Sequence, residues 1–181
     1  MIRDGRGRGY LAEVNKRQQL AVFASVEEEF KYISEKYGEA FIWTCETYDY
    51  AAADTILSVK NIRDDKNLHI FKIALHGDTE TEVEIHVPTA SFTDAGTEVV
   101  GQALNRILDK NGANYATAKA NETGNTQGDV VERVRIKADT DYKVPLEGAL
   151  ILGENQAICV DYVTVGTEAH VSIWGYYKDK E

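Results

Sequence analysis

The chain has two cysteines, two prolines and one methionine in 181 residues, and it carries ten more negative than positive charges. Each scarcity excludes something. Cys45 and Cys159 stand far apart with no second Cys or His at ligand spacing, which leaves neither a zinc-finger pattern nor a disulfide framework. Both lie in apolar stretches ("IWTCET", "QAICVDY"), where a free thiol behaves as a small buried hydrophobe. No run of about eighteen apolar residues occurs, so no membrane-spanning helix is expected. The arginines at the N-terminus have no apolar segment behind them, so no secretory signal is expected and synthesis in the cytoplasm is the reading. The net charge of −10 argues against a general nucleic-acid binder, which needs a basic face to displace counterions from phosphates.

An apolar share of 43% is enough for a real core, and the length suits one domain. The basic residues are unevenly placed. Arg3, Arg6, Arg8, Lys16 and Arg17 crowd the start, opposed only by Asp4 and Glu13. Gly5, Gly7 and Gly9 alternate with the arginines, and such a stretch has no side chains with which to build a core. Residues 1–10 therefore read as an extended Arg/Gly arm, and 11–181 as a single domain.

Residues 11–24 suggest a hairpin around the polar turn "NKRQQ". "SVEEEFKYISEKYG" predicts a helix, with Ser25 as N-cap, Glu28 as its capping-box partner and Gly38 as the stop. Val26, Phe30, Ile33 and Tyr37 fall on one helical face. Thereafter the period is two. "AFIWTCETYDY" and "TILSVKNI" alternate, and "NLHIFKIALHG" with "TETEVEIHVPT" predicts a long hairpin turning at Gly77 and Asp78. Val83, Ile85 and Val87 are expected inward, with Glu82, Glu84 and His86 on a wet face. "TEVVGQALNRI" fits a short helix or an irregular strand. Residues 107–130 read as a long polar connection. Strands return at "VVERVRIKA", "GALILG", "NQAICVDYVTVG" and "EAHVSIWGYY", with turns at Gly153-Glu154-Asn155 and Gly166-Thr167. Eight to ten strands at regular spacing predict a mainly β protein. The expected form is an antiparallel, jelly-roll-like β-sandwich with one short N-terminal helix.

Chemistry is sparse. "GRGRG" has no strand before it and the wrong spacing for a nucleotide loop. Glu82, Glu84 and His86, joined by His76 or His170, are the strongest metal candidates, but an acidic protein places Glu on a solvated face without any ion. The expectation is no metal, no cofactor and no catalytic residue. There is no nucleophile elbow, and neither Cys has a neighbour that would lower its pKa. Tyr48, Tyr50, Trp174, Tyr176 and Tyr177 could form a sugar platform, pack in the core, or line a subunit interface.

"DGRGRGYLAEVNKRQQLAVFA" resembles the N-terminal signature of a group of tailed-phage virion structural proteins. The matching residues are Asp4, Gly5, Gly7 and Gly9, then Ala12 and Val14, then Leu20 and Val22. "ILSVKN", "HVPTASF", "ALNRI" and "PLEGALILGENQAICVDYVT" are similar to later stretches of that family, in order. The helical segment and the strong negative charge depart from the pattern. The resemblance implies a non-enzymatic virion component that decorates or cements a capsid. Its partners would be other virion proteins, the major capsid protein first among them, with no nucleic acid and no membrane. Arg3, Arg6, Arg8 and the intervening glycines would form the assembly arm, and a homotrimer is the expected state. A tail or baseplate component with a receptor- or carbohydrate-binding role is the alternative, and a small β-sandwich hydrolase a third.

Overall fold

The computed structural model describes residues 13–14, 20–21, 29–51, 54–88, 96–122, 125 and 128–180. The Arg/Gly arm, including Arg3, Gly5, Arg6, Gly7, Arg8 and Gly9, lies outside the described residues, as do Ser25, Val26 and Glu28. Two short strands, β1 (Glu13–Val14) and β2 (Leu20–Ala21), pair antiparallel as the hairpin pattern predicts. Helix α1 spans Glu29–Tyr37 and stops at Gly38, whose φ of +67° suits glycine.

The body is a β-sandwich of two antiparallel sheets. Its long strands are β3 (Ala40–Tyr50), β4 (Asp54–Asn61), β5 (Lys66–Gly77) and β6 (Thr81–Val87). After the short β7 (Thr97–Glu98) and β8 (Gln102–Ala103) come β9 (Ala116–Glu122) and β10 (Asp129–Ile136). The chain ends with β11 (Tyr142–Leu152), β12 (Ala157–Tyr162) and β13 (Gly166–Asp179). One sheet has the order β11-β5-β13-β3-β8 and the other β10-β6-β12-β4-β9-β7. A single apolar cluster joins their inner faces. It draws Phe41, Trp43, Ile70, Ile73 and Val171 from the first sheet, and Ile56, Val59, Ile85, Ile158 and Val160 from the second. Burying each such side chain stabilises the fold by roughly 1.5–3 kcal/mol.

Several expectations are corrected. β5 and β6 do not form a hairpin: the chain crosses between sheets at Asp78–Glu80, and β5 pairs with β11 and β13 while β6 pairs with β10 and β12. The outward face of β6 is not wet throughout. Glu84 and His86 are buried, because each has a partner in place of water, Arg133 at 2.7 Å and Asp161 at 2.7 Å. The polar connection at 107–130 contains β9, whose Ala116, Ala118 and Ala120 face inward. The undecided "TEVVGQALNRI" stretch supplies β7 and β8. On α1 only Ile33 is buried, and Tyr37 is exposed. Gly166-Thr167 opens β13.

The "SVKN" and "ILGENQ" stretches meet at one junction. Asn61, wholly buried, donates from Nδ2 to the carbonyls of Lys66 and Leu152, 3.0 Å each, and accepts from the Arg63 amide at Oδ1, 2.9 Å. Its backbone pairs with Gln156 and Asn155. This one side chain ties the β4–β5 turn to the β11–β12 turn. In "LEGAL", Gly148 has φ +81°, and a Cβ there would stand 2.3 Å from the Tyr176 hydroxyl, so only glycine fits.

Candidate functional site

The outer face of the five-stranded sheet carries most of the chemistry, and register explains how. On β13 the residues Glu168, His170, Ser172 and Trp174 alternate outward; on β3 so do Thr44, Glu46 and Tyr48. His170 sits opposite Glu46 on one side and opposite His76 of β5 on the other. A row Glu46–His170–His76 therefore crosses three strands. The His170 Nε2 lies 2.6 Å from Glu168 Oε1 and 3.5 Å from Glu46 Oε1. The two imidazoles are edge-to-face with centroids 5.5 Å apart. Beyond them the Nδ1 of His76 meets the Asp141 carboxylate at 3.1 Å. Tyr48 donates its hydroxyl to Glu46, and Thr44 and Ser172 share a 3.0 Å hydrogen bond in the next row.

A cleft of about 390 Å³ opens further along the same face, beneath α1. Its walls are Phe30, Phe71 and Tyr176, with Glu29, Lys72 and Glu147 at the rim. Phe30 stacks on Phe71 at 4.5 Å, and Tyr176 stacks on His69 at 5.1 Å. The Tyr176 hydroxyl donates to Glu29 at 3.2 Å, and Lys178 holds Glu29 at 2.8 Å. Burial, with the Glu29 charge beside it, pushes the Tyr176 hydroxyl up to about 12. The Lys178 hydrogen bond draws Glu29 below its ordinary value, and burial lowers His69.

The six-stranded sheet holds a constellation that looks catalytic. Cys159 lies opposite His86 across β12 and β6, and His86 Nε2 is 2.7 Å from Asp161 Oδ2. The remaining ring nitrogen, Nδ1, accepts from the Gly128 amide at 3.3 Å. Both nitrogens of His86 are thus engaged, and none is left to take a proton from sulfur. Burial, then the charges of Asp161 and Glu122, raise the Cys159 thiol far above its ordinary value. Cys45 is likewise pushed up, to about 12, by burial. Neither thiol is a nucleophile at neutral pH.

The residues singled out from sequence are redistributed. His76 and His170 do meet, but with Glu46, Glu168 and Asp141; Glu82, Glu84 and His86 are on the other sheet. Of the aromatic set, Tyr50, Tyr176 and Tyr177 are buried within the chain itself. Their rings fill gaps: Tyr177 packs on Phe41 and Tyr115, and Tyr50 packs on Tyr162. Tyr48 stays 60% exposed, and Trp174 is half-buried with the Lys72 ammonium 4.5 Å from its ring. Asp141 stood out in the sequence only as a loop acid beside Asp139, and Glu46 and Glu168 escaped sequence reasoning because the pairing of β3, β13 and β5 leaves no local signature.

Comparison with known proteins gave no matching family model, no matching curated protein and no matching solved structure.

Proposed function

We propose that the chain is a non-enzymatic structural component of a tailed-phage particle, made in the host cytoplasm and decorating or stabilising the capsid. The observation that carries this reading is where the motif residues of the virion resemblance sit. Asn61, Gly153 and Gln156, from "SVKN" and "ILGENQ", serve a backbone junction, and Gly148 serves the register shift within β11, against the Tyr176 hydroxyl; none of these residues contributes a side chain to the cleft or to the Glu46–His170–His76 row. The long strands support it too. β3-β13-β5-β11 and β4-β12-β6-β10 follow the strand succession of an eight-stranded jelly roll, with β7–β9 inserted between its two halves.

In this reading the arm from Met1 to Gly9 attaches the acidic body to the particle. Arg3, Arg6 and Arg8 pair with carboxylates of the major capsid protein, bidentately where geometry permits. Copies associate as a homotrimer through the segment beside the end of α1. Ile107 is 94% exposed there, next to the exposed Leu104, Leu108 and Tyr37, and an apolar patch of this kind marks a contact surface. The experiment is add-back to particles stripped of this protein, using the intact chain and one lacking the first nine residues. The intact chain should rebind and the truncated one should lose most of its binding while staying folded. Equal binding by both would remove the arm from the account.

The cleft beneath α1 favours a second reading, a tail or baseplate component that binds a receptor or a sugar. Stacked aromatic walls with carboxylates at the rim suit a saccharide ring. A glycan-binding screen with Phe71→Ala as control separates the two.

A further inference from the structure

We propose that the outer face of the five-stranded sheet holds a divalent transition-metal site of the zinc class, built from Glu46, Glu168 and His170 with His76 as fourth ligand. This goes beyond the particle role and does not depend on it. One ligand atom from each of Glu46, Glu168 and His170 lies within 4.8 Å of the other two, which makes them the group among the described residues that draws together as a metal-ligating set. Zinc takes imidazole nitrogen and carboxylate oxygen at about 2.0–2.2 Å, so donors around one ion stand roughly 3–3.5 Å apart. The His170 Nε2 is already 2.6 Å and 3.5 Å from the two carboxylates. Small side-chain rotations admit an ion.

His76 stands outside that mutually close set, and its register and hydrogen bond make it the imidazole that a side-chain rotation would bring to the ion. It is paired directly with His170 across β5 and β13, with ring centroids 5.5 Å apart. Two imidazoles on one tetrahedral ion place their centroids roughly 5 Å apart. The Nδ1 of His76 faces the Asp141 carboxylate. A proton on Nδ1 donated to Asp141 leaves the lone pair on Nε2, and a carboxylate behind a ligating imidazole is how histidine ligands are oriented and made more basic. Tyr48 donates to Glu46 Oε1, the same oxygen that faces His170, and so holds that carboxylate in place. Mixed imidazole and carboxylate donors select a borderline cation over calcium or magnesium, which prefer all-oxygen shells. The donors come from strands that are remote in sequence but adjacent in the sheet, so a bound ion would clamp β3, β13 and β5 together.

The test is calorimetric titration of the untagged, metal-free chain with Zn2+, Ca2+ and Mg2+ separately, beside His170→Ala and the double variant Glu46→Gln/Glu168→Gln. The expected result is one Zn2+ per chain at micromolar affinity, a loss of about tenfold or more in each variant, and no comparable binding of Ca2+ or Mg2+. Imidazole NMR signals of the unmodified chain supply a readout that needs no variant: Zn2+ should shift His170 and His76 and leave the buried His86 unmoved. Absence of saturable Zn2+ binding, unchanged affinity in His170→Ala, Ca2+ binding in preference to Zn2+, or shifts confined to other histidines would each overturn the assignment.

Discussion

Asn61 is fully buried, and both of its polar side-chain atoms are satisfied by backbone, Oδ1 by Arg63 in the β4–β5 turn and Nδ2 by Lys66 at the end of that turn and by Leu152 before the β11–β12 turn. Replacing it with Ala strips partners from two carbonyls and an amide. A buried polar group without a partner costs about 1–3 kcal/mol, so Asn61→Ala should lower unfolding free energy by about 2–4 kcal/mol, read from the urea midpoint. A shift near zero would mean that water replaces the side chain and the junction is not the tie described above. Glu39 governs acid behaviour. Burial pushes its carboxyl up, but the ammoniums of Lys110 at 2.9 Å and Lys66 at 3.1 Å outweigh burial and hold it below its ordinary 4.5. A depressed carboxyl contributes stability that is fully present above 4.5 and is lost as pH falls through the folded-state value. Melting temperature should therefore drop on acidification below about pH 4.5, and the drop should be shallower in Glu39→Gln. Identical acid limbs in the two proteins would contradict the ion-pair account.

Among elements, the loop after β8 and the end of α1 form one unit. Asn105 donates from Nδ2 to the Ser34 and Glu35 carbonyls at the end of α1, and Leu108 closes over Gly38. Ile107 is left pointing away from this unit, almost wholly in solvent. If copies associate as the proposed homotrimer through this segment, Ile107→Asp should leave the fold intact and give a monomer in sedimentation where the unaltered chain gives a trimer. An unchanged trimer would place the contact elsewhere. Most elements were legible in the sequence, since β3, β4 and β10 to β13 announce themselves by period-two alternation and α1 ends at its predicted glycine. β9 was hidden because "ATAKANE" packs inward with alanines, whose strand preference is weak. The β5–β6 hairpin was misread for a different reason. A tight turn between alternating segments looks the same whether the next strand pairs with its neighbour or crosses to the opposite sheet. The same limit hid the Glu46–His170–His76 row: alternation tells which residues point outward, but not which strands lie side by side.

At the scale of the whole molecule, charge and chain order support one picture. In the proposed role, a chain with a net charge of −10 would keep its copies apart before assembly and be repelled by packaged DNA. The arginine-rich start supplies the opposite sign where docking would need it. Ordering an arm on a partner costs roughly 1–2 kcal/mol per residue, while an exposed ion pair returns about 0–1 kcal/mol. One Arg→Ala change should therefore weaken attachment only modestly. Raising salt from 0.1 M to 1 M, which shortens the screening length from about 10 Å to about 3 Å, should release the protein. Retention at high salt would mean that apolar contacts carry attachment. The most direct measurement is a cryo-electron-microscopy map of the purified particle. The account predicts the two-sheet body in threefold clusters on the capsid exterior, with residues 1–9 laid on the major capsid protein. Density for this chain at the tail tip, single copies without contact to one another, or a particle lacking the chain would contradict it.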